Sequence, residues 1–220
     1  MTLVLAAHGT RDPAGVRVVY ELADQVRARL GGVPVEVAFA DVRAPTVDSV
    51  LRSVGSPAVV VPAFLSSGYH VRTDLPAQVA GRAPITPPLG PAPTLIAALH
   101  QRLVAAGWRP GAAVVLAAAG SSDPRAASDV RRAAALLSLR TGTPVRIGYL
   151  ATAFPRLPDV VARTGGRIAI ASWLLAPGLF QSAVAASDAA VIAEPLGAHP
   201  RVAELIVRRY TETRCYSVAA

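Results

Sequence analysis

Three side chains able to bind a metal ion or move a proton stand out in this sequence: His8, Asp41 and His70. Two imidazoles and a carboxylate form a borderline donor set, suited to Fe²⁺, Co²⁺, Ni²⁺ or Zn²⁺ rather than Mg²⁺. So short a ligand list leaves coordination positions open to an incoming substrate. A neutral imidazole can also accept a proton near working pH. Each residue has a plainer use: His8 as a turn residue before Gly9, His70 as a half-buried surface histidine beside Tyr69, and Asp41 as a turn cap or a partner of Arg43. His100 falls in a helix and His199 precedes Pro200 at a helix start, so both read as structural or solvent-facing. Cys215, the single cysteine, cannot form an internal disulfide and sits in a tail that reads as frayed and inert.

The elements that position these groups alternate. Short β-branched runs near 2–7, 34–40, 57–63, 113–118, 144–150 and 167–173 read as strands. Amphipathic stretches near 14–30, 46–54, 73–81, 93–106, 125–140, 156–164, 181–189 and 200–212 read as helices. Continuous apolar strands separated by helices predict βαβ units and a parallel sheet covered on both faces.

The chain also repeats itself. Ala6-Ala7-His8-Gly9-Thr10-Arg11-Asp12-Pro13 aligns with Ala117-Ala118-Ala119-Gly120-Ser121-Ser122-Asp123-Pro124, and Pro34-Val35-Glu36-Val37-Ala38-Phe39 with Pro144-Val145-Arg146-Ile147-Gly148-Tyr149. Phe64-Leu65 with Gly68 parallels Leu174-Leu175 with Gly178, and both halves close with Pro-Leu-Gly before a final helix. The expectation is an α/β protein of two similar three-layer αβα domains with flavodoxin-like parallel sheets, related by internal duplication and dividing into 1–109 and 110–220. Gly107, Pro110 and Gly111 interrupt the helix there.

Duplication supplies an internal control, because reactive groups present in one copy only are not needed by the fold. His8 corresponds to Ala119, Asp41 to Ala151 and His70 to Phe180. All three follow strands of the first half, at the carboxyl edge where open α/β sheets bind ligands. If the first strand lies between the other two, neighbours about 4.8 Å apart bring the three side chains together.

Composition removes several classes of function. The 220 residues carry a net charge of +8, but all 22 cationic residues are arginine and they are scattered, with too few aromatics for a stacking platform. No nucleic-acid role is expected. The absence of lysine excludes a P-loop lysine and a Schiff-base lysine, so no nucleotide is expected. No apolar run reaches the roughly 18 residues of a membrane span, and no basic leader precedes the first strand. A cytoplasmic protein without a membrane role is the expectation.

Leu5-Ala6-Ala7-His8-Gly9-Thr10-Arg11 and Pro62-Ala63-Phe64-Leu65-Ser66-Ser67-Gly68-Tyr69-His70-Val71-Arg72-Thr73-Asp74-Leu75-Pro76 resemble the two signature segments of the CbiX/SirB sirohydrochlorin chelatases. The resemblance covers nearly the whole chain, since long members of that family are fused tandem repeats and short members pair as homodimers. It implies a chelatase-type fold, a fused pseudo-dimer acting as a monomer, and ATP-independent insertion of Fe²⁺ for sirohaem or Co²⁺ for cobalamin, with Ni²⁺ or Zn²⁺ as further metals. His8 and His70 match the family's metal-binding, catalytic histidines. Asp41 stands where the family often has glutamate, one methylene longer. The substrate carries eight carboxylates, which Arg11, Arg43 and Arg72 can pair bidentately, while Ser66, Ser67 and Gly68 offer hydroxyls and a close backbone approach. No iron–sulfur cluster is expected. The competing readings are a non-catalytic carrier of metal or tetrapyrrole, and a hydrolase or isomerase using His8 with Asp41.

Overall fold

A computed structural model describes residues 1–218, with side chains through Cys215. The chain forms two compact units, Met1–Leu89 with Ala198–Ala220, and Gly90–Gly197.

In the first unit β1 (Thr2–Ala7) lies between β2 (Val35–Phe39) and β3 (Ala58–Pro62), all parallel. Every residue of β1 is buried, as a central strand covered on both faces requires. One face carries α1 (Pro13–Leu30) and α8 (Pro200–Val218); the other carries α2 (Val47–Ser53) and α3 (Leu75–Val79). On the second face Val4, Ala6, Ala38 and Val60 pack with Val50, Leu51, Leu75 and Val79. Burying a side chain such as Leu75 contributes about 2 kcal/mol. Ala6 pairs with Ala38 on one side and Pro62 on the other, so the three strands end level and their following loops share one edge.

The second unit repeats this plan. β4 (Ala113–Ala118) lies between β5 (Val145–Tyr149) and β6 (Ile168–Trp173), and the two-residue β7 (Val191–Ile192) extends the sheet. α4 (Pro93–Ala105) and α5 (Pro124–Thr141) cover one face, while α6 (Leu157–Arg163) and α7 (Leu179–Ala185) cover the other.

Two regions differ from the sequence reading. The compact units divide the chain differently from the sequence repeat at 109 and 110. Helix α4, encoded in the first copy, packs on β6 and α5, whereas α8, encoded in the second, packs on α1 and β3. An amphipathic pattern fixes which face of a helix is buried but not which sheet covers it. The second difference is Cys215, which stands exposed on the closing turns of α8 rather than in a frayed tail.

Candidate metal site at the edge of the first sheet

His8 leaves the end of β1, Asp41 follows β2, and His70 follows β3. Their ligand atoms all lie within 4.8 Å of one another. Because β1 is central, the sheet order alone brings three separate loops to one point.

The two imidazoles face each other through their Nε2 atoms, 3.1 Å apart. Each ring is anchored from its other side. His8 Nδ1–H donates to the Gly9 carbonyl at 3.0 Å, and His70 Nδ1–H donates to the Asp74 carboxylate at 2.5 Å. A carbonyl or carboxylate only accepts, so both Nδ1 atoms carry hydrogen and both Nε2 atoms present lone pairs. Two lone pairs at that separation need a proton or a cation between them. With metal–nitrogen bonds of about 2.1 Å, the spacing corresponds to an angle of roughly 95° at the metal.

Gly9 makes the close approach possible. Its φ is +101°, and a Cβ there would stand 2.2 Å from the Asp41 carbonyl oxygen. The Asp41 N–H donates to the His8 carbonyl at 3.0 Å, tying the two ligand loops together. Beside it Val42 takes φ 68°, a left-handed conformation that a β-branched residue rarely adopts. One Asp41 carboxylate oxygen accepts the Val42 N–H at 2.7 Å, so the turn-capping use is present, and the carboxylate has a second oxygen besides. Gln78 braces the same loop by donating to the Ala40 carbonyl at 2.7 Å and accepting from Val47 N–H at 3.1 Å.

The second unit keeps this scaffold and drops the ligands. Gly120 has φ +93°, with the Ala151 carbonyl 2.2 Å from its notional Cβ. The Ala151 N–H donates to the Ala119 carbonyl at 2.8 Å. Thr10 and Ser121 accept from Asp12 and Asp123 N–H at 3.1 Å in the two copies, and each aspartate then caps the following helix. Glycine, hydroxyl and Asp-Pro therefore belong to the fold.

His70 lies not in a loop but at the start of a π-helical turn, His70–Asp74, whose closing bond runs from Leu75 N–H to the His70 carbonyl. Pro76 follows. It has no N–H for the Arg72 carbonyl, and its ring would clash with that carbonyl in a regular α-helix, so the preceding turn opens. Asp74 is the residue that sequence reasoning missed as part of the site. Phe64 also borders it, edge-on to His8 at 6.3 Å and stacked with His70 at 6.4 Å between ring centroids.

The arginines differ in placement. Arg43 donates to the Thr10 carbonyl at 3.2 Å, with its guanidinium 5.6 Å from the centre of the Phe39 ring. Arg11 and Arg72 are exposed, three and two residues along the chain from His8 and His70. All three have uncharged counterparts in the second copy, Ser122, Ala153 and Ser182. Ser66, Ser67 and Gly68 are half-buried in the turn after β3, where the Gly68 carbonyl accepts from Val71 and Arg72 N–H at 3.1 and 3.2 Å. Gly68 thus anchors the π-turn. Away from this edge, His100 packs edge-on against Trp108 at 5.7 Å, and His199 Nδ1 accepts from Arg201 N–H at 3.1 Å, at the start of α8. Among the described residues no helix is long and apolar enough to cross a membrane.

The chain is similar to known proteins in sequence and in fold. A sirohydrochlorin cobaltochelatase of Methanococcus maripaludis is 35% identical over 78 residues, 34% of this chain and 54% of that protein. One from Methanopyrus kandleri is 34% identical over 80 residues, 34% of this chain and 56% of its own. Each match spans about half the length of the curated relative. In structure the chain is similar to SirB from Bacillus subtilis with Fe³⁺, with a TM-score of 0.82 over 100% of this chain and 98% of that one at 22% identity. It is also similar to CbiX, the terminal enzyme for biosynthesis of sirohaem in denitrifying bacteria, with a TM-score of 0.75 over 96% of this chain and 99% of that one at 23% identity. At those identities the structural likeness shows the fold. The CbiX family model matches twice, at residues 2–106 and 113–213, and the chain belongs to the CbiX family.

Proposed function

We propose that this protein is a sirohydrochlorin chelatase that inserts Fe²⁺ or Co²⁺ into the tetrapyrrole without ATP, using the edge of its first sheet. The observation that carries this reading is the pair of converging Nε2 atoms, 3.1 Å apart and each backed by an acceptor on the far side of its ring. His8 and His70 hold the incoming metal, with Asp41 as the third ligand. The remaining positions stay open, so ring nitrogens can enter as protein ligands leave. Each pyrrole N–H that loses its proton needs an acceptor, and a neutral imidazole released from the metal supplies one. Arg11, Arg43 and Arg72 face the substrate's carboxylates, and Ser66, Ser67 and Gly68 shape the turn against it.

The names of the curated relatives support cobalt, and SirB structures have been solved with Fe³⁺ and with cobalt. Both metals suit two imidazoles and a carboxylate. The junction of the duplicated copies lies between residues 109 and 110, supported by the two family-model matches on either side of it. The chain is a fused pseudo-dimer that acts as a monomer, in the cytoplasm.

The test is anaerobic incubation with sirohydrochlorin and Fe²⁺ or Co²⁺, followed by the absorption change of metallation. Many product molecules per protein support an enzyme; one equivalent and no more indicates a carrier. Activity on other substrates that survives chelators, with no metallation, would favour the hydrolase or isomerase reading.

A further inference from the structure

We infer that Asp74 is a positioning residue of the metal site: it fixes the tautomer and the plane of the His70 ring, and so sets the strength with which the pair of histidines grips its metal. The inference deepens the reading of His8 and His70 as ligands and rests on it.

Three observations carry it. The Asp74 carboxylate meets His70 Nδ1 at 2.5 Å, which leaves Nε2 as the free donor atom aimed at His8. Next, Asp74 lies in helical backbone, φ −69° and ψ −46°, where the π-turn runs into α3, and its side chain makes no capping bond to the backbone there. Its carboxylate turns back to the imidazole instead. Third, the duplication separates this pairing from the demands of the fold. Where the first copy has His70 and Asp74, the second has Phe180 and Val184, and Val184 is fully buried. The fold accepts an apolar side chain at that place, and the carboxylate is found only where the imidazole is found.

The chemical consequence follows from the two anchors being unequal. His8 leans on a neutral carbonyl and His70 on a carboxylate. A carboxylate behind Nδ1–H pushes electron density toward Nε2 and holds the ring against rotation, which strengthens the metal bond. Without it, the ring is free to rotate or to adopt the tautomer with hydrogen on Nε2, and that form cannot ligate.

The test is Co²⁺ titration of the intact protein under anaerobic conditions at one fixed pH, followed by its visible ligand-field bands, with thermal unfolding measured alongside. Asp74→Ala is expected to weaken Co²⁺ binding about 10–100-fold and to shift the bands. Asp74→Asn, nearly the same shape, retains an acceptor without the charge and is expected to fall between. Asp74→Glu is expected to recover part of the loss. A folded Asp74→Asn or Asp74→Ala protein with wild-type affinity and an unchanged spectrum would overturn the inference. If the wild-type protein failed to bind Co²⁺, or if His8→Ala bound it equally well, the metal site itself would fall, and the role of Asp74 with it.

Discussion

His8 and His70 are 62 positions apart in the chain, yet their Nε2 atoms are 3.1 Å apart at the end of one parallel sheet. Neither ring spends that nitrogen on the fold. Replacing either by alanine is therefore expected to lower metal affinity by at least about 100-fold, as loss of one of two strong ligands should, and to change thermal stability little. Isothermal titration with Co²⁺ and a melting curve check both halves of the statement. His100→Ala and His199→Ala should bind the metal as the wild type does.

Asp41 is tested by length and charge. Asp41→Ala removes a carboxylate from a three-residue ligand set and is expected to weaken Co²⁺ binding by about tenfold or more. Asp41→Glu restores the charge with one more methylene and should retain most of the affinity. Equal binding by Asp41→Ala and the wild type would reduce Asp41 to a turn residue that accepts Val42 N–H.

Gly9 and Gly120 provide a matched pair. A Cβ at either meets a backbone carbonyl oxygen at 2.2 Å, with φ near +100° in both, +101° and +93°. Gly9→Ala and Gly120→Ala should each destabilise the protein by roughly 2–3 kcal/mol, measured by urea unfolding. Only Gly9→Ala should also loosen metal binding, because only its loop carries His8 and touches Asp41.

His100 contributes to the pH dependence of stability with a definite sign. Burial holds the His100 pKa below its ordinary 6.5, with the Arg140 charge adding to the effect. Its unfolded form therefore binds more protons than its folded form in the window below 6.5. The stabilisation is complete above pH 6.5 and is lost as pH falls through the lowered folded value. His100→Gln should flatten the fall in melting temperature between about pH 7 and pH 5. An unchanged slope would exclude the contribution.

Much of the fold is legible in the sequence because its signals are local and doubled. Strand runs such as Leu3 to Ala7 and Ala113–Ala118 are apolar throughout, and Asp12-Pro13 and Asp123-Pro124 announce helix starts that the structure caps in the same way. The convergence of His8, Asp41 and His70 follows from placing β1 at the centre. The pairing of Asp74 with His70 was not legible. Gly68 and Pro76 make that stretch read as a loop with a helix from residue 73, so a turn beginning at His70, with i,i+4 partners facing, leaves no periodic trace. Nor does any local pattern say that α4 covers the second sheet and α8 the first, since both helices are amphipathic in the ordinary way. β7, two residues long, is too short for any period to mark it.

The most direct measurement is a single turnover from a preloaded site. Protein carrying one equivalent of Co²⁺, freed of excess metal, is mixed anaerobically with sirohydrochlorin and followed by absorption. The account predicts one equivalent of metallated product from the wild-type protein, with no metal released to a competing chelator on the way. A His8→Ala, His70→Ala protein that metallates the ring at the same rate would contradict it.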